Sequence, residues 1–310
     1  MKAHVLILNY NGAELLKRYL PSFIAAGDHA STPCVVSVID NASADESKGV
    51  VRSFGGKVGW MPMKENRVLC SYNDAAKALS DDILIFMNND IEADPGFIDP
   101  LMRPFVEDPD VFFVTPKCFG SDRRTYEGNK TRGRVRFGIY WSTALYPGHE
   151  MTVDTPGFTM AGGFGAFDRK KFLSLDGYDD LYLPGRLEDT DICLRAQKTG
   201  WKCLYAPGSV VYHQGGVSFH KRFGLRKTLV INWRNTFLFM WKNLSASTLF
   251  VSALWLPLRF AYSLVSLKPE LFMGFLEALP RLPKALAKRN QLKQSSLPDR
   301  VREREIFARV

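Results

Sequence analysis

Apolar runs of strand length alternate with segments of helical spacing along the first third of the chain, and three of the runs stop abruptly in a polar cluster. Residues 3–8 (AHVLIL) lead into Asn9-Tyr10-Asn11-Gly12, residues 34–39 (CVVSVI) into Asp40-Asn41-Ala42-Ser43, and residues 83–87 (ILIFM) into Asn88-Asn89-Asp90. Unbroken runs rich in β-branched and aromatic residues suit strands covered on both faces, as in a parallel sheet. Between them the spacing predicts helices over residues 13–26, 45–54, 68–79 and 97–107, with shorter strands at 57–62 and 111–115. Strands alternating with helices imply right-handed crossovers and an α/β fold with a mainly parallel sheet. Ligands of such sheets bind in a crevice outside the carboxyl ends of the strands, where these polar clusters fall.

Beyond residue 115 the pattern is less regular. Residues 119–146 carry Arg123, Arg124, Lys130, Arg132, Arg134 and Arg136 and read as a solvated loop, with contact to an anionic acceptor as the alternative. Residues 158–167 (FTMAGGFGAF) place Gly162 and Gly163 in tandem, so either a tight turn forms there or backbone approaches a ligand closely. Leu187-Glu188-Asp189-Thr190-Asp191 opens a helical pattern over 191–199 that Gly200 closes. A helix dipole accounts for one acidic residue at such a start better than for three. Strands follow over 201–205 and 209–212, and His213 stands at the end of the second. Asn88-Asn89-Asp90 suits a hard divalent cation, because Mg²⁺ takes one or two carboxylates and shares the rest of its shell with water and phosphate oxygens.

Charge divides the chain in two. Residues 1–220 hold 24 Lys and Arg against 27 Asp and Glu, whereas residues 221–310 hold 17 against 5. The expected organisation is therefore an α/β domain over 1–220 and a basic C-terminal extension over 221–310, which seeks an anionic partner, either nucleic acid or a membrane surface. Within the extension, residues 249–267 (LFVSALWLPLRFAYSLVSL) contain one charge, Arg259, and Pro257. That composition predicts a helix lying on or shallowly inserted into a membrane rather than a clean span, with a buried core helix as the alternative. An exposed apolar tail can also pair with a second copy of the chain. The five cysteines (Cys34, Cys70, Cys118, Cys193, Cys203) show no CxxC spacing, which argues against a disulfide framework or structural zinc and for a reducing compartment. The first residues read as a strand and not as a signal peptide. The expected location is the cytoplasm, peripherally attached to the inner face of the cell membrane.

Taken together and in order, VLILNYNG at 5–12, IDNASAD at 39–45, EN at 65–66 with Asn73, FMNNDIEADPGFI at 86–98, MAGGFGAFDRKKFLSLDGYDD at 160–180, LEDTDICLRAQKTGWKCLYAP at 187–207 and VVYH at 210–213 resemble the family 2 glycosyltransferases, most closely their bacterial rhamnosyltransferase-type group. The resemblance covers about residues 3–235. It implies a GT-A fold, Rossmann-like with a mixed, mainly parallel sheet and helices on both faces, and an inverting transfer from a nucleotide-diphosphate sugar to a lipid-linked or polysaccharide acceptor. Carried over residue by residue, it implies that Asp40 accepts from the base, with Asn9 and Tyr10 beside it. Asn66, Asn73, Asn89, Gly162 and Gly163 would line the donor, and Asp90 and His213 would hold Mg²⁺ or Mn²⁺. Asp189 would be the base and Glu188 would orient the sugar or acceptor.

The chain departs from the family at ENRVLCSYN over 65–73, where glycines are usual, and at Asn-Asn-Asp, which is poorer in charge than the usual metal motif. Rival readings are a sugar-phosphate nucleotidyltransferase, which lacks its Gly-rich basic loop here, and a nucleic-acid-binding protein using the basic tail, for which no groove-reading motif is present. An inactive transferase module is a further alternative, against which the retained Asp40, Asp90, Glu188, Asp189 and His213 speak.

Overall fold

A computed structural model describes residues 1–214, 223–294, 297 and 299–309. The expected domain boundary between residues 220 and 221 lies outside the described residues. Strands β1 (Ala3–Asn9), β2 (Cys34–Asp40), β3 (Gly59–Pro62) and β4 (Ile83–Asn88) form the parallel half of the main sheet. The other half contains β5 (Ile91–Ala93), β6 (Val111–Gly120), β7 (Tyr126–Gly128), β10 (Gly157–Phe158), β11 (Gly165–Asp168) and β12 (Lys202–His213). Its order is β10-β12-β6-β11-β4-β1-β2-β3, with β5 on β12 and β7 on β6. Strand β11 runs antiparallel between β4 and β6, whereas β6 and β12 are parallel to each other. The two strands read at 201–205 and 209–212 are one long strand, β12, whose register against β6 shifts between Ala206 and Val210.

Helices cover both faces because alternate residues of the buried strands point to opposite sides. Val5, Ile7, Val36, Val38, Ile85 and Met87 pack with helices α1 (Ala13–His29) and α4 (Ile98–Glu107). Leu6, Ile39, Leu84 and Phe86 pack on the other side, with α3 (Ser71–Ala78), α5 (Arg169–Ser174) and α6 (Glu188–Lys198). Helix α2 (Ser47–Ser53) is shorter than its predicted span, and residues 68–70 of the third predicted helix form a 3-10 turn ahead of α3.

Residues 119–146 are not the solvated loop that their charge predicts. They supply β7 and a separate hairpin of β8 (Arg132–Arg136) and β9 (Ile139–Thr143). Ile139 and Tyr140 enter a third core cluster, with Met160, Leu181, Tyr182 and Leu194 of the sheet domain and Phe237 to Met240 of the C-terminal helices. The basic side chains miss that core because β8 alternates, with Arg132, Arg134 and Arg136 on its exposed face.

The extension continues as α7 (Leu225–Asn243), α8 (Ala246–Val265), α9 (Glu270–Ala278), α10 (Leu282–Gln294) and α11 (Glu303–Arg309). Helix α7 is joined to α6 by a buried ionic network. Lys242 Nζ lies 2.6 Å from Asp179 Oδ2 and 2.8 Å from Asp191 Oδ2, and Arg195 Nε donates to the same Asp191 oxygen at 2.8 Å. Tyr182 Oη and Asn243 Nδ2 each donate to Asp191 Oδ1 at 2.7 Å, and Lys288 of α10 meets Asp179 Oδ1 at 2.6 Å. Burial pushes the Asp191 pKa up, but Lys242 and Arg195 outweigh it and the net shift is downward. Asp179 and Asp191 are held below the usual carboxylate value and Arg195 above its own, whereas burial outweighs the two carboxylates at Lys242 and lowers its pKa.

Removing one member of such a network leaves an uncompensated buried charge, which costs about 3–5 kcal/mol. Lys242→Met is expected to lower the urea-unfolding free energy by about 3 kcal/mol or more, while Lys284→Met, at an exposed pair with Asp180, changes it by less than about 1 kcal/mol.

Candidate active site

Three strand ends meet at one edge of the parallel half. The registers set Asn9 beside Asp40 and Leu8 beside Asn88, so polar residues that follow apolar runs in the sequence become neighbours. Asn9 Nδ2 donates to Asp40 Oδ1 at 3.1 Å and to Ser47 Oγ at 2.9 Å, and Asn89 Nδ2 donates to Asn9 Oδ1 at 2.7 Å. The other Asp40 oxygen accepts from Ser43 N at 3.0 Å. Asp40 and Asn9 are buried while Tyr10 is exposed beside them. The result is a ledge of buried amides and one carboxylate with an aromatic ring at its rim.

Next along the edge, Asp90 follows β4 and His213 ends β12, with His213 paired to Ile91 of β5. His213 Nε2 lies 3.4 Å from Asp90 Oδ1, and its Nδ1 lies 2.9 Å from Glu127 Oε2 of β7. Burial lowers the His213 pKa, but Asp90 and Glu127 outweigh it and hold it above the usual value. Beyond the ion pair with His213 at 3.4 Å, Asp90 Oδ1 is buried with no hydrogen-bond partner among the described residues. An orphaned carboxylate oxygen facing an imidazole nitrogen fits a divalent cation, since both are hard or borderline donors. Cys118, Glu127 and His213 also offer ligand atoms within 4.8 Å of one another. Glu127 escapes sequence reading because only the short pairing of β7 with β6 carries it to the site; no local motif marks it.

The Glu188–Asp189 pair opens α6. Glu188 is buried, its Oε2 has no partner among the described residues, and burial reinforced by the Asp189 charge pushes its pKa up to about 8. Burial also raises the Asp189 pKa, against Thr190 N, which donates to Asp189 Oδ1 at 2.7 Å. The Glu188 charge contributes to the rise of the Cys70 thiol pKa to about 12, second to burial, and Asp189 acts similarly on Tyr140 of β9. The pair thus sits near the start of α3 and the hairpin.

The chain entering the pair is strained and clamped. Arg186 and Leu187 have φ of 85° and 70°, in the left-handed region that side chains avoid. The buried Asn235 of α7 donates from Nδ2 to the carbonyls of Tyr182, Gly185 and Arg186 at 2.7, 2.8 and 3.0 Å. Arg234 and Arg281 donate to the Leu183 carbonyl at 2.8 and 3.1 Å. The extension therefore fixes the loop that presents the two carboxylates. Asn235 lies within the stretch compared by resemblance, but nothing in its local sequence singles it out.

The other expected donor-site residues divide. Both ends of the Asn73 amide engage the Tyr178 backbone, with Nδ2 donating at 2.8 Å and Oδ1 accepting at 2.9 Å, so its polar contacts are structural. Asn66 Oδ1 accepts from Val68 N at 2.9 Å. Val68 has φ of 52°, and it stands where the resemblance leads one to expect glycine. A Cβ on Gly162 would fall 2.5 Å from Thr115 Oγ1, whereas one on Gly163 meets nothing within 4 Å. Gly162 serves close packing on β6, and Gly163 faces open space.

This sheet order, with a carboxylate-bearing ledge at the strand ends, defines a GT-A glycosyltransferase. Residues 4–175 match the model of glycosyl transferase family 2, and the chain belongs to that family. It is 28% identical over 215 residues to a putative polypeptide N-acetylgalactosaminyltransferase 10 of Drosophila melanogaster, an alignment covering 67% of this chain and 32% of the fly protein. It is 24% identical over 234 residues to an N-acetylglucosaminyl-diphospho-decaprenol L-rhamnosyltransferase of Mycobacterium tuberculosis, covering 67% of this chain and 75% of that one. Among solved structures, S. aureus TarS 1-349 with UDP-GlcNAc aligns with a TM-score of 0.57 at 17% identity, covering 94% of this chain and 81% of that one. A mannosyltransferase of Pyrobaculum calidifontis with GDP-Man and Mn²⁺ gives 0.54 at 16%, covering 95% and 86%.

Two outcomes follow from the strained backbone and the buried acid. Val68→Gly relieves a β-branched residue of a left-handed conformation and, after the greater freedom of glycine in the unfolded chain, is expected to stabilise by about 1 kcal/mol in urea unfolding. The raised Glu188 pKa means that the folded protein holds a proton the unfolded chain releases. Its stability contribution is full below the ordinary value of 4.5 and is lost as pH rises through about 8. Thermal midpoints followed across that window should fall with pH in the wild type and fall less in Glu188→Gln.

Proposed function

We propose that the protein transfers a sugar, with inversion, from a nucleoside-diphosphate donor to a lipid-linked acceptor at the cytoplasmic face of the cell membrane, in the synthesis of cell-envelope glycan. The observation that carries this reading is the orphaned Asp90 oxygen opposite His213, on the same edge as the Asp40–Asn9–Asn89 ledge. Asp40 receives the base, with Asn9 beside it holding the carboxylate and Tyr10 at its rim, and Asn89 lies toward the ribose. Asp90 and His213 would hold Mg²⁺ or Mn²⁺, which when bound would supply positive charge to offset that of the diphosphate. Asn66 and Gly163 border the sugar.

Asp189 takes the proton of the acceptor hydroxyl on the face opposite the leaving group. Glu188, protonated near neutrality, donates a hydrogen bond and leaves the negative charge of the pair on Asp189. The mycobacterial relative is named for a lipid-diphosphate acceptor and rhamnose, which makes rhamnose the first donor sugar to test, with glucose, galactose and N-acetylated sugars behind it. No nucleic-acid partner is proposed.

Nucleoside diphosphate release from UDP, dTDP and GDP sugars, with membrane extract as acceptor, tests the reading. Turnover of one donor that requires Mg²⁺ or Mn²⁺ and is lost in Asp90→Ala is the expected result. Asp189→Asn should lose roughly 10²–10⁴-fold in kcat, and Glu188→Gln, which preserves the neutral donor, far less. Absence of turnover with every donor, together with salt-sensitive binding to nucleic acid, would overturn it.

A further inference from the structure

The helix α8 is inside out for a protein in water. Ser252 and Ser263 are its buried residues, and Arg259 is half-buried on the same side. Its outward stripe, one residue every four, is Phe250, Leu254, Leu258 and Tyr262, exposed to 67, 63, 64 and 72%. A surface helix in water carries the opposite polarity, and a continuous exposed apolar stripe marks an interaction site. By length and composition this helix alone among the described residues passes as a membrane span, but its inner face is committed to protein. Ser252 Oγ donates to the Gly138 carbonyl at the turn of the β8–β9 hairpin, and Phe260 packs against Phe272 and Phe275. Only one face is left for a partner.

The hairpin extends that face. Phe137 packs on Trp255 with centroids 5.1 Å apart, and Arg259 lies over Trp141 at 5.8 Å. All three rings are exposed by more than a third, so the apolar stripe runs onto the hairpin through aromatic side chains. Directly beyond it, Arg132, Arg134 and Arg136 stand two residues apart on the exposed face of β8, and Arg134 is paired across the hairpin with Trp141.

We infer that α8 and the β8–β9 hairpin form one docking surface for an anionic phospholipid bilayer. The outer stripe of α8 with Phe137, Trp141 and Trp255 enters the boundary between headgroups and acyl chains, and the β8 arginines take the lipid phosphates. Charge chooses this occupant over a second copy of the chain. Helix α8 and the hairpin carry Arg132, Arg134, Arg136 and Arg259 and no Asp or Glu, so a dimer across this face would bring like-charged surfaces together, whereas an anionic bilayer complements them. The inference deepens the membrane location proposed above, and its readout is binding, independent of whether any sugar is transferred.

The test is flotation of the full chain with vesicles of phosphatidylcholine alone and of phosphatidylcholine mixed with phosphatidylglycerol. The wild type should float with the anionic vesicles. Arg134→Ala with Arg136→Ala should weaken that partitioning about twenty-five-fold, at about a fivefold loss per arginine, and reduce its salt dependence. Leu254→Glu with Leu258→Glu should abolish flotation on the anionic vesicles. All four side chains are exposed or at the surface, and unchanged circular dichroism and thermal midpoint would confirm that each variant is folded. Flotation of the glutamate variant at the wild-type level would overturn the inference. So would a wild type that ignores both vesicles and sediments as a dimer that the glutamate substitutions dissociate.

Discussion

Four charges sealed from water hold this protein in its working shape. Lys242 reaches from α7 to Asp179 and Asp191, and Arg195 closes the cluster from α6. Ion pairs at this depth repay their desolvation only when geometry and additional hydrogen bonds are good, and here Tyr182, Asn243 and Lys288 supply them. The network sets the register between the C-terminal helices and the sheet domain. From that register Asn235 meets three carbonyls of the loop ahead of Glu188 and keeps Arg186 and Leu187 in conformations they would not adopt alone. The basic extension is in this sense part of the site.

The proposed donor side follows a different logic. Its residues stand on consecutive strand ends, where a rigid parallel ladder stops and the backbone turns polar. Asn9 is the joint, donating to Asp40 and accepting from Asn89, so the ledge is arranged before any ligand arrives. Preformed polar groups of this kind bind charge without paying for reorganisation. Glu188 and Asp189 illustrate the complement: burial raises both pKa values, Glu188 to about 8, while the hydrogen bond from Thr190 N opposes the rise at Asp189.

Much of this was legible in the chain. Unbroken apolar runs at 3–8, 34–39 and 83–87 announce buried parallel strands, and the polar clusters after them announce the edge where a ligand binds. The family motifs add the order of the remaining parts. Residues 119–146 were misread because their charge suggested solvent. In a strand exposed on one face, charge on alternate residues is compatible with structure, and Gly133, Val135 and Tyr140 take the inner positions. Asn73 shows the converse, a motif residue whose amide is consumed by the Tyr178 backbone.

What the sequence determines by itself is therefore local: the strand and helix periods, the strand ends that carry Asp40 and Asp90, the acidic start of α6, and the segregation of positive charge into the last ninety or so residues. Tertiary structure decides what is brought together over long separations. It carries Glu127 to His213 across 86 residues, Asn235 to the Glu188 loop, and the β8–β9 hairpin to α8 across 114. Those contacts depend on pairing registers and on a buried charge network, and neither has a period that a window of sequence can reveal.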